Sequence, residues 1–198
     1  MSPARSLVRV LRLVVSVVAL VPAVAQAADV VDQHNDSWTP AEFSSIGAPA
    51  TIGQEFIPTL TRIDFVQLTT AADPLAGRSS ARLFVEIYPG LVTNTRIGIS
   101  DTVTVVSSFD VLAQVSRFLF RTPVAVTAGN IYVFVVRIAG SERWYLGVEQ
   151  GPQENYPQGR LIVGGRAIGY ADAWFREGTS DVIAARSSTW GAIKSLYH

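Results

Sequence analysis

The sequence predicts an all-β protein, an antiparallel β-sandwich of jelly-roll type with a short C-terminal helical tail. Three observations carry that expectation. Side chains alternate with period two from Ile52 to Phe175, the repeat of a half-buried strand. Turn residues interrupt the alternation at short intervals, at Asp73-Pro74 with Gly77, Pro89-Gly90, Ala128-Gly129-Asn130, Ala139-Gly140-Ser141, Pro157 with Gly159, and Gly164-Gly165. Glycine supplies positive φ there and proline presets the bend. No window of the region keeps a helical period, and many short strands so punctuated describe a sandwich or jelly roll.

The elements follow in chain order. Residues 1–27 read as a cleavable signal peptide. Arg5, Arg9 and Arg12 form its basic start, an apolar run over 13–24 is broken by Ser16 and Pro22, and Ala25-Gln26-Ala27 closes it with a small-x-small cleavage site. The run is shorter than the roughly 20 residues that span a bilayer, so no stable membrane span is expected after cleavage. A first short strand is expected near 29–32, then a long loop over 33–51 with two prolines. In 61–69, Ile63 and Phe65 share one face while Asp64, Val66 and Leu68 share the other. In 81–88, Leu83, Val85 and Ile87 oppose Phe84, Glu86 and Tyr88. Further strands are expected over 96–100, 102–107, 116–121, 131–138, 143–149, 160–163 and 173–177, all rich in β-branched and aromatic residues. The run 131–138 is apolar almost throughout, the mark of a central strand covered on both faces. These strands fall in one domain, 28–180. Within the tail, 181–198, Ser187, Ser188 and Thr189 read as linker or N-cap. Trp190, Ile193, Leu196 and Tyr197 then recur at helical spacing.

Composition narrows the chemistry. The chain has no cysteine, which excludes a disulfide framework and a thiol nucleophile, so stability must come from core burial. Loss of the three N-terminal arginines takes 16 basic against 16 acidic residues to 13 against 16, a net charge near −3. That balance gives no electrostatic case for nucleic acid. The signal peptide places the product outside the inner membrane, periplasmic or secreted.

The succession Gln54-Glu55-Phe56-Ile57-Pro58, Ile63-Asp64-Phe65-Val66-Gln67-Leu68, Thr122-Pro123-Val124-Ala125-Val126-Thr127-Ala128-Gly129 leading into Tyr132, Tyr156-Pro157-Gln158-Gly159-Arg160, and Asp172-Ala173-Trp174-Phe175-Arg176-Glu177-Gly178 resembles a group of exported bacterial β-sandwich domains. Such domains often precede a PEP-CTERM-type sorting tail or another surface anchor. The resemblance covers roughly 30–178 and rests on hydrophobic and turn patterns, so it implies a fold and not a reaction. The ending departs from that group, with no Pro-Glu-Pro motif, no apolar span and no closing basic cluster.

Reactive constellations are sparse. The two histidines, His34 and His198, and the absence of a Gly-x-Ser-x-Gly elbow give little material for a serine triad. Zinc would depend on carboxylates. Asp32, Asn35 and Asp36 set three oxygen donors within five residues, a candidate structural Ca2+ site beside the plainer reading of a polar turn cluster. Glu142, Glu149, Glu154 and Asp172 are candidates for a facing carboxyl pair of a glycoside hydrolase. Aromatic platforms suit sugars, because a ring packs on the apolar face of a pyranose. Trp144, Tyr145, Asn155 and Tyr156 are the candidate ligand contacts, with core packing the competing role for Trp144 and Trp174. The expected function is a secreted, non-enzymatic binding or structural module whose partner is a polysaccharide or cell-surface component. A carboxylate-dependent glycoside hydrolase and a purely structural matrix protein are the alternatives.

Overall fold

The computed structural model describes residues 28–36, 43–47, 51–73, 79–107, 114–150 and 156–180. Within them the chain forms strands and no helix, and every pairing is antiparallel. The first sheet runs β1 (Asp29–Asn35), β14 (Phe175–Ser180), β4 (Arg62–Ala72), β10 (Arg143–Gln150) and β13 (Ala171–Ala173). In it β2 (Phe43–Gly47) also pairs with β10, and β8 (Gln114–Ala125) with β4. The second sheet runs β12 (Arg166–Ile168), β11 (Leu161–Val163), β3 (Ile52–Phe56), β9 (Tyr132–Ile138), β5 (Ser79–Pro89) and β6 (Gly98–Ile99), and β7 (Val103–Ser107) also pairs with β5. The signal peptide at 1–27 and the expected tail helix within 181–198 lie outside the described residues.

One apolar cluster joins the two sheets. Leu83, Val85, Ile87, Phe134 and Val136 come from the second, and Val66, Leu68, Phe118, Trp144 and Phe175 from the first. The rings bridge the gap: Phe134 on β9 lies 5.4 Å from Phe175 on β14 and 6.1 Å from Phe56 on β3, centroid to centroid. Each such side chain contributes about 1.5–3 kcal/mol by leaving water. Without a disulfide this burial is what holds the sheets together.

β9 is the central strand that its apolar run predicts. It pairs with β3 and β5, and residues 132–136 are all buried. Tyr132, Phe134 and Val136 face the shared core. Val133 and Val135 face outward, where Tyr88, Ile162 and the half-buried Val92 cover them in a second, smaller cluster. Gly53 stands opposite Val135 at a close approach of backbones. A Cβ built there would come 1.9 Å from the Phe134 carbonyl oxygen, a position only glycine fills. Gly164 and Gly165, with φ of 60° and 79°, make the two-residue turn between β11 and β12, the primed hairpin geometry.

The structure corrects the sequence-based expectation in three places. The expected loop over 33–51 contains ordered β structure, because β1 extends to Asn35 and β2 occupies 43–47. Residues 52–56 form a separate strand, β3, with every residue buried. Ile63 and Phe65 do not share a face. Ile63 pairs with Val124 and Phe65 with Leu119, so residues 120–123 stand opposite Asp64 alone. This bulge reverses the parity of β4: Ile63, Val66 and Leu68 enter the core, and Phe65 lies under the Arg117 guanidinium, 4.0 Å from its ring centroid. Pro123 sits within that irregular stretch of β8, where a strand tolerates proline.

Candidate functional site

The inward parity of β1, β3, β13 and β14 brings polar side chains into the edge of the core. Asn35 donates to the Ala173 carbonyl (2.9 Å), and Gln54 donates to Asp172 Oδ1 (2.9 Å) while accepting from the Ala173 N–H (2.9 Å). The Tyr156 N–H donates to Asp172 Oδ2 (3.2 Å). The Tyr156 hydroxyl donates to Gln33 Oε1 (3.0 Å) and accepts from the Ile57 N–H (3.3 Å). Asp32 accepts from the N–H groups of Thr59 (2.8 Å) and Leu60 (3.0 Å), from the Thr59 hydroxyl, and from Gln33 Nε2 (3.4 Å). Burial pushes the Tyr156 phenol up, with the nearby carboxyl groups of Glu177, Asp32 and Asp172 acting the same way.

Glu177 is the exception in this belt. It is fully buried, and neither carboxyl oxygen meets a donor in good geometry. Burial, then the charge and hydrogen-bonding contact of Asp32, push its carboxyl up to about 9 against a weaker opposing contribution from the Gln33 N–H. Glu177 is held towards its protonated form, since burial first and the neighbouring Asp32 carboxyl second both disfavour its charge. A cation would fit poorly between them. The Asp32 oxygens already accept from four donors and the Gln33 side-chain carbonyl from Tyr156, and Ca2+ asks for six to eight free oxygens.

The three residues of the expected calcium site have separate partners. Asp32 holds the 59–60 turn and Asn35 reaches Ala173. Asp36 takes His34 Nδ1 (2.8 Å) and the Arg176 guanidinium. Burial works to raise the Asp36 carboxyl, but the Arg176 and His34 hydrogen bonds hold it below its ordinary value. Among the described residues no group of three or more His, Asp or Glu side chains is gathered for a metal.

Of the aromatic platform, Trp144 (1% exposed) and Tyr156 (5%) are core residues. Trp144 packs in the shared apolar cluster, and Tyr156 meets Phe175 edge-on at 5.0 Å. Neither offers a face to a ligand: Trp144 follows the inward parity of β10 with Leu146 and Val148, and the Tyr156 ring is held against Phe175. Tyr145, the next residue along β10, is half-buried, and Asn155 lies outside the described residues. Trp174 is buried beside Arg176, whose guanidinium stands 5.6 Å from its ring, while Phe175 points into the core. Among the acids considered for hydrolysis, Asp172 is buried under Gln54 and Tyr156, Glu142 is exposed, Glu149 stands opposite Asp172 in the β10–β13 ladder, and Glu154 lies outside the described residues.

Open concave surface lies elsewhere, at residues that no sequence pattern singled out. A cleft of about 410 Å³ separates β6 from the bulged part of β8 and is lined by residues 96–101 and 121–123. Ile97 and Ile99 are 42% and 49% exposed on its wall. Arg121 Nε donates to Asp101 (2.6 Å), and Arg96 donates to Glu86. On the other side of Glu86, Arg137 Nε (2.9 Å) and the Tyr88 hydroxyl (2.7 Å) also donate to it. Burial would raise the Glu86 carboxyl, but Arg137, Tyr88 and Arg96 together hold it below its ordinary value. No signal in the sequence joins these residues, since one wall of the cleft comes from the bulged stretch at 120–123.

No protein-family model and no curated protein matches this chain.

Proposed function

We propose that the chain is an exported, non-enzymatic module, a jelly-roll-like sandwich of the kind it resembles in sequence, which binds polysaccharide in the β6/β8 cleft. The observation that carries this reading is the cleft itself. It has a volume in the range of small-ligand sites and sets the aliphatic faces of Ile97, Ile99 and Pro123 beside the guanidinium groups of Arg96 and Arg121. Aliphatic side chains pack on the C–H face of a sugar ring, and guanidinium donors reach its hydroxyl oxygens. Against a hydrolase stands the seclusion of the acids. Glu177 and Asp172 are shut off from solvent, and a glycosidic bond must reach both acids of a hydrolytic pair.

Affinity electrophoresis and calorimetry with a polysaccharide panel test the reading. Retardation of the wild-type chain, lost in Ile99→Asp with an unchanged circular dichroism spectrum, supports it. Retardation that survives Ile99→Asp, or none with any polymer, overturns it. A matrix role is the second reading. It is favoured by edge strand β1, which presents Val30 (48% exposed) and Val31 (41%) to solvent and is therefore open to pairing with another copy.

A further inference from the structure

We propose that the ligand of the β6/β8 cleft is an acidic polysaccharide whose uronate carboxylates are held by Arg96 and Arg121, an inference that rests on the binding function proposed above.

The argument is one of local charge. Glu86 lies between two guanidinium groups: Oε1 accepts from Arg96, and Oε2 from Arg137 and the Tyr88 hydroxyl. One carboxylate between two arginines leaves a positive charge over. At the other side of the cleft, Arg121 and Asp101 balance each other. Across these five residues three positive charges face two negative ones. Of these five, Arg96, Arg121 and Asp101 line the cleft, while Glu86 and Arg137 do not, so the surplus belongs to the cluster as a whole and reaches the cleft through Arg96.

The geometry leaves these cations available. Arg121 engages Asp101 through Nε, and its side chain is 84% exposed. Its fork carries further N–H groups beside Nε, and two parallel N–H donors grip a carboxylate in bidentate fashion. Arg96 reaches Glu86 through Nη1, and its side chain is 47% exposed. Ile97 and Ile99 line the same cleft and are 42% and 49% exposed, apolar surface on which a sugar ring can pack. A uronate repeat meets both demands, with a C–H face for the isoleucines and a carboxylate for each arginine. A neutral glucan meets only the first. Nucleic acid would need a wider basic surface and stacking aromatics, and the cleft lining contains no aromatic residue.

Polygalacturonate, dextran and dextran sulfate are the probes, titrated against the wild-type chain, Arg121→Gln and Ile99→Asp at two salt concentrations. The expected result is binding to polygalacturonate and not to dextran, weakened about five- to tenfold by Arg121→Gln and abolished by Ile99→Asp. Arg121 is a surface residue, so its replacement tests the contact without endangering the fold. Equal binding of dextran and polygalacturonate, unaffected by Arg121→Gln but lost in Ile99→Asp, overturns the uronate inference and leaves the polysaccharide function standing. Dextran sulfate binding best, with no response to either variant, reduces the effect to general polyanion attraction and overturns both. Silence with all three polymers also overturns both.

Discussion

Replacing Glu177 by Gln should abolish a slope in stability that the wild-type chain shows between pH 5 and 9. The folded carboxyl is pushed from its ordinary 4.5 up to about 9 by burial and by Asp32. Above pH 5 the unfolded chain has released this proton and the folded chain keeps it. Folded protein therefore binds more protons than unfolded, and unfolding free energy falls as pH rises. The stabilisation is fully present below about pH 4.5 and is lost as pH climbs through about 9. The limiting slope for one group is about 1.4 kcal/mol per pH unit, so the step from pH 5 to pH 7 is worth up to about 3 kcal/mol. A glutamine cannot ionise and keeps the size of the side chain. Urea unfolding followed by tryptophan fluorescence at unit pH steps measures both curves, and their difference cancels every other titrating group. Glu177→Gln should be the more stable protein by up to about 4 kcal/mol near pH 8 and should lose that advantage near pH 5. Parallel curves would refute a proton held on Glu177, and so would a wild-type stability that rises over this interval.

Trp144→Ala should destabilise the fold by about 3–5 kcal/mol, read from the urea midpoint, because its side chain is 1% exposed within the shared cluster. Sugar binding in the surviving folded fraction should be unchanged, and selective loss of binding would return Trp144 to the ligand site. Gly53→Ala should cost about 3 kcal/mol or more, since its Cβ would fall 1.9 Å from the Phe134 oxygen and force β3 from β9; a soluble variant with the wild-type midpoint would contradict that close approach. Acid should also destabilise the chain. Asp29, lowered first by its hydrogen bond with Arg117, and Asp36 and Glu86, lowered by their arginines against the opposing effect of burial, contribute stability that is present above their unfolded values and lost as pH falls through their folded ones. Midpoints measured from pH 5 down to pH 2 should fall, less steeply in Glu86→Gln, and an acid limb identical in that variant would exclude Glu86 from it.

The strands were legible because alternation is a local signal. Leu83, Val85 and Ile87 face the core and Glu86 and Tyr88 the outside, as their spacing predicts. The same local rule fails where one strand of a pair carries extra residues. Nothing in Ile63-Asp64-Phe65 announces that residues 120–123 stand against Asp64, so the side chains of Ile63 and Phe65 part. The strand β3 was hidden for another reason. Gly53, Gln54 and Glu55 break its hydrophobic pattern, and each of the three serves the fold directly. Gly53 gives room to β9, Gln54 ties Asp172 and Ala173, and Glu55 pairs with Arg160.

The polar belt carries the larger lesson, because part of it was readable. Phe175 and Glu177 are two residues apart, so an inward Phe175 commits Glu177 to the interior. Spacing alone therefore marks this acid as buried, yet it cannot say what meets it. The partners come from far along the chain, with Gln54 118 positions from Asp172 and Tyr156 123 positions from Gln33. A buried acid with a partner of opposite charge would have been an ion pair. Burial first, and then Asp32, hold it instead towards its protonated form, in a place set by the β1–β14 register, where Gln33 stands directly across from Glu177. Ionising Glu177 would leave an uncompensated charge beneath the pairing of β1 with β14, so deprotonation should weaken the hold on the N-terminal strand.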